Sequence, residues 1–426
     1  MIVFNLKQYL QLLLFTCFFT FNLYSQNEEI KSLCKNLCSE KYFGRGYVKG
    51  GDSLSAFYIA DEFKKRGLQS INGTFFQEFY FDVNTFPSHM ELKIDDKLLK
   101  PGIDFLVDPS SGSSKKKWNF QLLKPNDLLE NSSFSVLLDK ISNNNSINSI
   151  VIQAKDLKGD SLKQIKSVAK KLSDYYDVIL ILSEKLTFSV SNVQMKHTLI
   201  YLKDLEVQKN SLVESNIISQ LKSNHKARNV LAVLPAKKPT NHYLFITAHY
   251  DHLGGMGDKV FFPGANDNAS GTSMLFALTD LLSTQKRKKN IVFIAFAGEE
   301  AGLIGSKYYV DHPLIPLTNI DFVLNLDIMG SGEEGITVVN ATEYPKIFDK
   351  LVNTNKNNKY LSNIKKRGKA ANSDHYWFSE NGVPAFFIYT MGPNKNYHDV
   401  LDTYENLSFN EYNDLIEFLS NFIKKI

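Results

Sequence analysis

Carboxylates and imidazoles stand just beyond the ends of short apolar runs in this sequence. "YLFITA" (243–248) leads into His249-Tyr250-Asp251-His252, and "IVFIAFA" (291–297) into Gly298-Glu299-Glu300. "FVLNL" (322–326) leads into Asp327, and "AFFIY" (385–389) into "TMGPNKNYHDVLD" with His398 and Asp402. One further carboxylate, Asp267, lies inside "FPGANDNASG" (262–271), flanked by two asparagines and fenced by Gly264 and Gly271. Singly, each has an ordinary explanation: a satisfied core histidine, a solvated helix start, a cap near a helix N-terminus. Together, at the ends of several core strands, they do not.

Charge decides between the readings. Asp267, Glu299, Glu300 and Asp327 in one pocket would repel one another, and some would stay protonated. No Lys or Arg lies beside them in these motifs. Two divalent cations are the simplest counter-charge, and imidazole with carboxylate suits zinc. Two Zn²⁺ against three ligand carboxylates and one hydroxide sum to zero. In extended chain, residues two apart share a face, so the Asp251 carboxylate can orient the His249 ring. Asp267 reads as a carboxylate shared by two metals, its glycines permitting a tight turn and its asparagines bonding the loop without added charge. Adjacent Glu299 and Glu300 point differently, so one can bind metal while the other faces the water beside it.

These groups need a scaffold. The runs at 243–248, 291–297, 322–326, 336–339 and 385–389 suit strands buried on both faces. Helices such as "SGTSMLFALTDLLS" (270–283) intervene, which predicts a mainly parallel sheet with helices on both sides and ligands beyond the strands' carboxyl ends. Residues 27–70 read as helix, with Leu54, Phe57, Ile59, Ala60 and Phe63 at near-helical spacing, and 74–98 as strands. After "PSSGSSKKK" (109–117) the composition shifts. Residues 105–222, with short apolar runs and one amphipathic helix at 160–176, read as a small α/β or β-rich insertion without chemistry of its own.

The N-terminus reads as a signal peptide over 1–25: Lys7, an apolar run from Tyr9 to about Tyr24, and Ser25 before cleavage at Gln26. A membrane anchor is the alternative, and a lipoprotein site at Cys17 is disfavoured by the bulky residues before it. The expected product is secreted, periplasmic or cell-surface, with no stable membrane span after signal removal. A net charge of +4 over 426 residues gives no case for a nucleic-acid partner. Cys34 and Cys38 remain after cleavage, and their four-residue spacing is poor disulfide geometry on a helix. Pairing stays open should the helix begin after Cys34.

The set "HYD", "GANDNASG", "GEEAGLIGSKYYVDHP", "NLDIMG", "SDHYWF" and "YHDVLDTYENL" closely resembles the co-catalytic zinc metallopeptidases of family 28, which include bacterial aminopeptidases, glutamate carboxypeptidases and related glutaminyl cyclases. The resemblance covers about 229–426 strongly, and 27–100 weakly through "CSEKYFGRG". It implies a three-layer α/β/α sandwich with a mainly parallel mixed sheet, interrupted by a protease-associated-like insertion. The domain reading is 26–104 and 223–426 for the peptidase unit and 105–222 for the insertion. The resemblance further implies His249 and Asp327 on one zinc, Glu300 and His398 on the other, Asp267 as the bridge, Glu299 as general base and Asp251 as the partner of His249. Some relatives carry a Tyr before "SDH" that donates to the oxyanion. Here Ala370-Ala371-Asn372 stand there, leaving Tyr376, Tyr389, Tyr397 or the zinc alone for that task.

The expected function is a zinc exopeptidase acting on peptides, foremost an aminopeptidase using a metal-bridging hydroxide with Glu299 as base. The alternatives are a single-zinc glutaminyl cyclase, a carboxypeptidase-type member and a non-catalytic binding protein.

Overall fold

The computed structural model describes residues 28–129, 133–143 and 146–426. The signal-peptide reading, with Cys17 and the cleavage site, lies outside the described residues. Among the described residues no helix is long and apolar enough to cross a membrane.

The main sheet has eight strands. In chain order they are β1 (Phe76–Thr85), β2 (Gln220–Leu234), β3 (Tyr243–His249), β4 (Asn290–Phe296), β5 (Ile320–Leu326), β6 (Ile336–Val339), β7 (Ile364–Lys366) and β8 (Ala385–Thr390). Their spatial order is β1-β2-β4-β3-β5-β8-β6-β7. The central four, β4, β3, β5 and β8, run parallel. β2 joins β4 antiparallel, and β6 joins β8 antiparallel. Four of the five apolar runs read from the sequence are these central strands, and the fifth, 336–339, is β6.

Alternate residues on each central strand enter different cores, because strand side chains alternate between faces. Ile246 and Ala248 of β3 pack with Phe293, Ala295 and Leu324, whereas Phe245 packs with Val292, Ile294 and Val323. The first core is roofed by helices α2 (Gly51–Lys65), α3 (Gly271–Ser283), α5 (Pro345–Asn358) and α7 (Tyr412–Ile423). The second is roofed by α4 (Ile304–Asp311) and α6 (His375–Glu380), through Tyr309, Val310 and Phe378. Three layers result, as expected. On α2 the buried stripe is Ala56, Ile59, Ala60 and Phe63, while Leu54 and Phe57, expected on that face, are exposed.

Helix α1, over 28–37, carries Cys34 and Cys38 at its end into the first core as free, buried thiols.

The insertion has its own core. A five-stranded sheet orders Phe105–Val107, Leu199–Lys203, Asp177–Leu182, Ser149–Gln153 and Phe120–Leu123, with helix Gly159–Leu172 as a crossover. A second sheet pairs Glu91–Ile94 with Lys97–Leu98 and with Val213–Ile217, which also pairs with Ser114–Lys117. The hairpin at 91–98 thus sits with the insertion, which runs from about Phe86 to Ile217 rather than over 105–222. The strand at Gln220–Leu234 returns to the main sheet against β1. Local apolar pattern could not separate the two, because both stretches read as strand. Leu253, Met256 and Phe262, from the loops around Asp267, pack inside the insertion's core.

Candidate metal centre

Each parallel strand delivers one or two groups to the same edge. β3 ends in buried His249, β4 leads through Gly298 to Glu299 and Glu300, β5 is followed by Asp327, and the loop after β8 brings His398. Asp267 lies in a turn between Gly264 and α3. Gly264 has φ +57°, and a Cβ there would fall 2.3 Å from the Asp267 carbonyl and from the His252 ring. Gly271 is different. Its backbone is helical, and glycine is needed because a Cβ would meet the Asn268 side chain at 2.3 Å. The asparagines act as expected: Asn268 Oδ1 accepts from the Gly271 and Ile328 amides, and Asn266 Oδ1 from that of Gly330. The Asp267–Asn268 peptide is cis.

The Asp267 carboxylate splits between two imidazoles. Oδ1 is 3.3 Å from His249 Nε2, and Oδ2 is 3.1 Å from His398 Nε2. Asp327 Oδ1 is also 3.3 Å from His249 Nε2, and Glu300 Oε2 is 3.2 Å from His398 Nε2. Two sets of ligand atoms, His249-Glu299-Asp327 and His252-Asp267-Glu300, each lie within 4.8 Å of one another. His252 and His398 both reach the Asp267–Glu300 pair.

Both outer imidazoles have a fixed tautomer. His249 Nδ1 is 3.1 Å from the Asp251 carbonyl and His398 Nδ1 is 2.9 Å from that of Phe188. A carbonyl only accepts, so each Nδ1 carries hydrogen and each Nε2 is left to the pocket. The main chain of Asp251, not its carboxylate, therefore orients His249; Oδ1 is 3.8 Å from Nδ1, beyond hydrogen-bond reach. The chain turns as it leaves β3, which aims the carboxylate elsewhere. It accepts from the Tyr47 hydroxyl at 2.9 Å and from the Glu299 amide at 3.2 Å, so it fixes the loop that bears the two glutamates.

Other supports, Asp402 apart, were not singled out from sequence. His252 Nδ1 donates to Glu300 Oε1 at 2.7 Å. Ser373 donates to Asp327 Oδ2 at 3.0 Å and accepts from Asn325, which accepts from Thr247. Asp402 accepts the amides of Asn266 and Asp267 at 2.9 and 3.0 Å, which holds the loop rather than a metal. Fully buried Arg45 donates to the carbonyls of Leu37, Tyr250, Pro263 and Gly264 at 2.6–3.1 Å. Buried Asp374, in "SDHYWF", has no hydrogen-bond partner for either carboxylate oxygen, and burial pushes it up to about 7. The only sequence signal for His252 was its place in the cluster after β3.

The electrostatics are those of crowded carboxylates beside histidines. Burial pushes His249 down, but the charges of Asp327 and Glu299 override it and hold it well above its ordinary value. Burial likewise opposes His398, yet Glu300 and Asp267 push it up to about 11. Burial raises Glu300, but the His398 charge and the His252 bond bring it to about 2. Glu299 is pushed well above the carboxylate range by burial, against the charge of His249 and with that of Glu300.

This donor set fits zinc. Asp327 Oδ1 and His252 Nε2 are buried without hydrogen-bond partners, and no Lys or Arg pairs with the carboxylates among the described residues. Imidazole and carboxylate are zinc's ordinary nitrogen and oxygen donors.

Of the three tyrosines considered for the oxyanion, Tyr397 lies against the site. Its ring stacks on His398 with centroids 3.9 Å apart, and burial and the charge of Asp267 raise its hydroxyl. Tyr389 accepts from Arg367, and Tyr376 packs on Trp377.

Residues 229–423 match the profile described as Peptidase family M28. Aminopeptidase YwaD of Bacillus subtilis is 38% identical over 119 residues, which is 26% of this chain and 24% of that protein. A probable leucine aminopeptidase of Arthroderma otae is 33% identical over 172 residues, 38% of this chain and 47% of that one. The matched stretches thus span about a quarter to a half of these relatives. In structure the chain is similar to BSAP, described as a zinc aminopeptidase from Bacillus subtilis, with a TM-score of 0.69 and 19% identity over 93% of this chain and 94% of that one. That likeness extends the shared fold over both the main sheet and the insertion.

Proposed function

We propose that this protein, whose residues 229–423 match the profile of peptidase family M28, is an exported zinc aminopeptidase that hydrolyses N-terminal peptide bonds. One observation carries the reading: the two oxygens of Asp267 face His249 Nε2 and His398 Nε2 at 3.3 and 3.1 Å. A carboxylate so divided is suited to bridge two ions. His249 and Asp327 would complete one zinc site, and Glu300 and His398 the other. Bound zinc would bring a water's pKa from 15.7 toward about 7 and polarise the scissile carbonyl.

The chain's own groups do the rest. Glu299 lies with His249 and Asp327, its amide held by Asp251. It takes a proton from the attacking water and returns it to the leaving amine. Its raised affinity for a proton, set by burial and by Glu300, suits that exchange. Tyr397, stacked on His398, is the tyrosine we assign to donate its hydroxyl to the developing oxyanion. Export rests on the apolar N-terminal run and Ser25.

The test is a panel of free-amine aminoacyl fluorogenic substrates, N-blocked peptides and N-terminal glutaminyl peptides, with zinc measured on the same protein. Turnover of free-amine substrates alone is expected. Cleavage only of blocked peptides, or ammonia release without cleavage, would replace the reading by a carboxypeptidase or a cyclase. Glu299→Gln is expected to keep its zinc and lose about 10²- to 10⁴-fold in kcat; near-normal turnover in that variant would remove Glu299 from the role of base.

A further inference from the structure

Residues 185–192 of the insertion cross from its five-stranded sheet onto the loops of the metal centre. Phe188 and His398 exchange hydrogen bonds in both directions. The Phe188 amide donates to the His398 carbonyl at 2.9 Å, and the His398 Nδ1–H donates to the Phe188 carbonyl at 2.9 Å. His398 has φ +54°, a conformation non-glycine residues rarely adopt and one that needs outside support. The Phe188 ring, 5% exposed, stacks on Phe262 at 4.8 Å and 14°, just ahead of the turn that bears Asp267.

The same segment is fastened at both ends. Lys185 pairs with Asp399 and donates to the Lys395 carbonyl at 2.7 Å. Ser191 accepts the Asn84 amide at 2.8 Å, tying the segment to the end of β1. Asn192 donates to the Ala301 carbonyl at 2.9 Å, on the loop that follows Glu299 and Glu300. One strap therefore touches the His398 loop, the Asp267 turn and the glutamate loop.

We propose that Phe188 is a positioning residue for the second metal site, so that the insertion is a working part of the centre and not only a cover over it. The inference rests on the reading of His398 as a zinc ligand. The Phe188 carbonyl takes the Nδ1 hydrogen, which leaves the Nε2 lone pair aimed between Asp267 and Glu300. Stacking on Phe262 holds that carbonyl in place. Loss of such an outer partner costs about 10- to 100-fold in metal affinity.

The experiment measures zinc per chain after dialysis of the full-length protein against graded chelator, together with the thermal midpoint. Wild type should hold two ions. Phe188→Ala should release one of them at about 10- to 100-fold less chelator while keeping the other as wild type does, and Phe188→Leu should fall between. Ile165→Ala, which opens the insertion's core in helix 159–172 without removing any of the strap's anchors, should lower the midpoint and keep both ions. Wild-type retention in Phe188→Ala, or loss of both ions in step as in a merely destabilised chain, would overturn the inference and leave the metal reading standing. A wild type holding fewer than two ions would overturn the metal reading and the inference with it. Should Phe188→Ala not fold, Lys185→Ala and Asn192→Ala remove the strap's side-chain anchors. Selective release of one ion is again expected, and unchanged retention in both would overturn the proposal.

Discussion

At the scale of single residues, Arg45 shows how much of the site is held by groups that never face it. Its guanidinium is fully buried, and its partners are carbonyls on α1, on the segment after β3 and on the Asp267 turn. Arg45→Met keeps the bulk and removes every donor to five buried carbonyls, of which that of Gly264 keeps the Ala269 amide. A loss on the order of 3–5 kcal/mol is expected, read as a lower urea midpoint at unchanged slope. An unchanged midpoint would show that water or a shifted loop satisfies those carbonyls. The candidate ligands were legible in the sequence as a cluster because Asp, Glu and His stand out at the ends of apolar runs. Arg45, Tyr47 and Phe188 were not, because their bonds reach segments about 200 residues away. Arg45 and Gly264 are 219 apart and His398 and Phe188 are 210 apart. Asp251 meets His249 through its carbonyl and not through the carboxylate expected from sequence, because residue type and spacing do not tell a carboxylate from its own carbonyl.

At the scale of elements, the loop 42–46 meets the loop 252–254 backbone to backbone. Gly254 donates its amide to the Gly44 carbonyl at 3.0 Å, and a Cβ on Gly46 would lie 2.4 Å from Gly254 Cα and 2.9 Å from the His252 carbonyl. The neighbour is main chain and has no rotamer by which to yield. Gly46→Ala should therefore push the 252–254 loop outward and draw His252 from Glu300, destabilising by about 1–3 kcal/mol. The discriminating readout is zinc retention: it should fall in Gly46→Ala and not in Gly73→Ala, where φ is +83° but no atom lies within 4 Å of the added Cβ. Equal retention in the two variants would refute the coupling of this loop to the site. The strands of the main sheet were readable because continuous apolar runs mark strands covered on both faces. The hairpin at 91–98 was assigned to the wrong unit because its alternation fits either sheet, and pairing with Val213–Ile217 is a tertiary choice.

At the scale of the whole molecule, the first core of the main sheet and the insertion's core meet at the metal loops, since Ala265 and Ala269 of the Asp267 turn pack in the former and Leu253, Met256 and Phe262 in the latter. Neither core can open without disturbing the centre, so one cooperative unfolding transition is expected, and zinc should raise its midpoint as a whole. The pH dependence of that shift follows from the histidines. His249 and His398 are both held above their ordinary value by neighbouring carboxylates, His398 up to about 11. Without zinc, a raised histidine stabilises the fold fully below its unfolded value near 6.5, and that contribution fades as pH rises through the folded value. Zinc acts in the opposite direction, because it binds the unprotonated ring and must displace the proton. Each proton displaced strengthens binding by up to about tenfold per pH unit, or about 1.4 kcal/mol. The zinc-induced rise in midpoint should therefore grow from pH 6 to pH 8, while the midpoint without zinc should not rise on account of these histidines. Calorimetry at three pH values, with and without zinc, checks both halves. A zinc increment independent of pH would mean that no imidazole proton is displaced, and would remove His249 and His398 from the ligand set together.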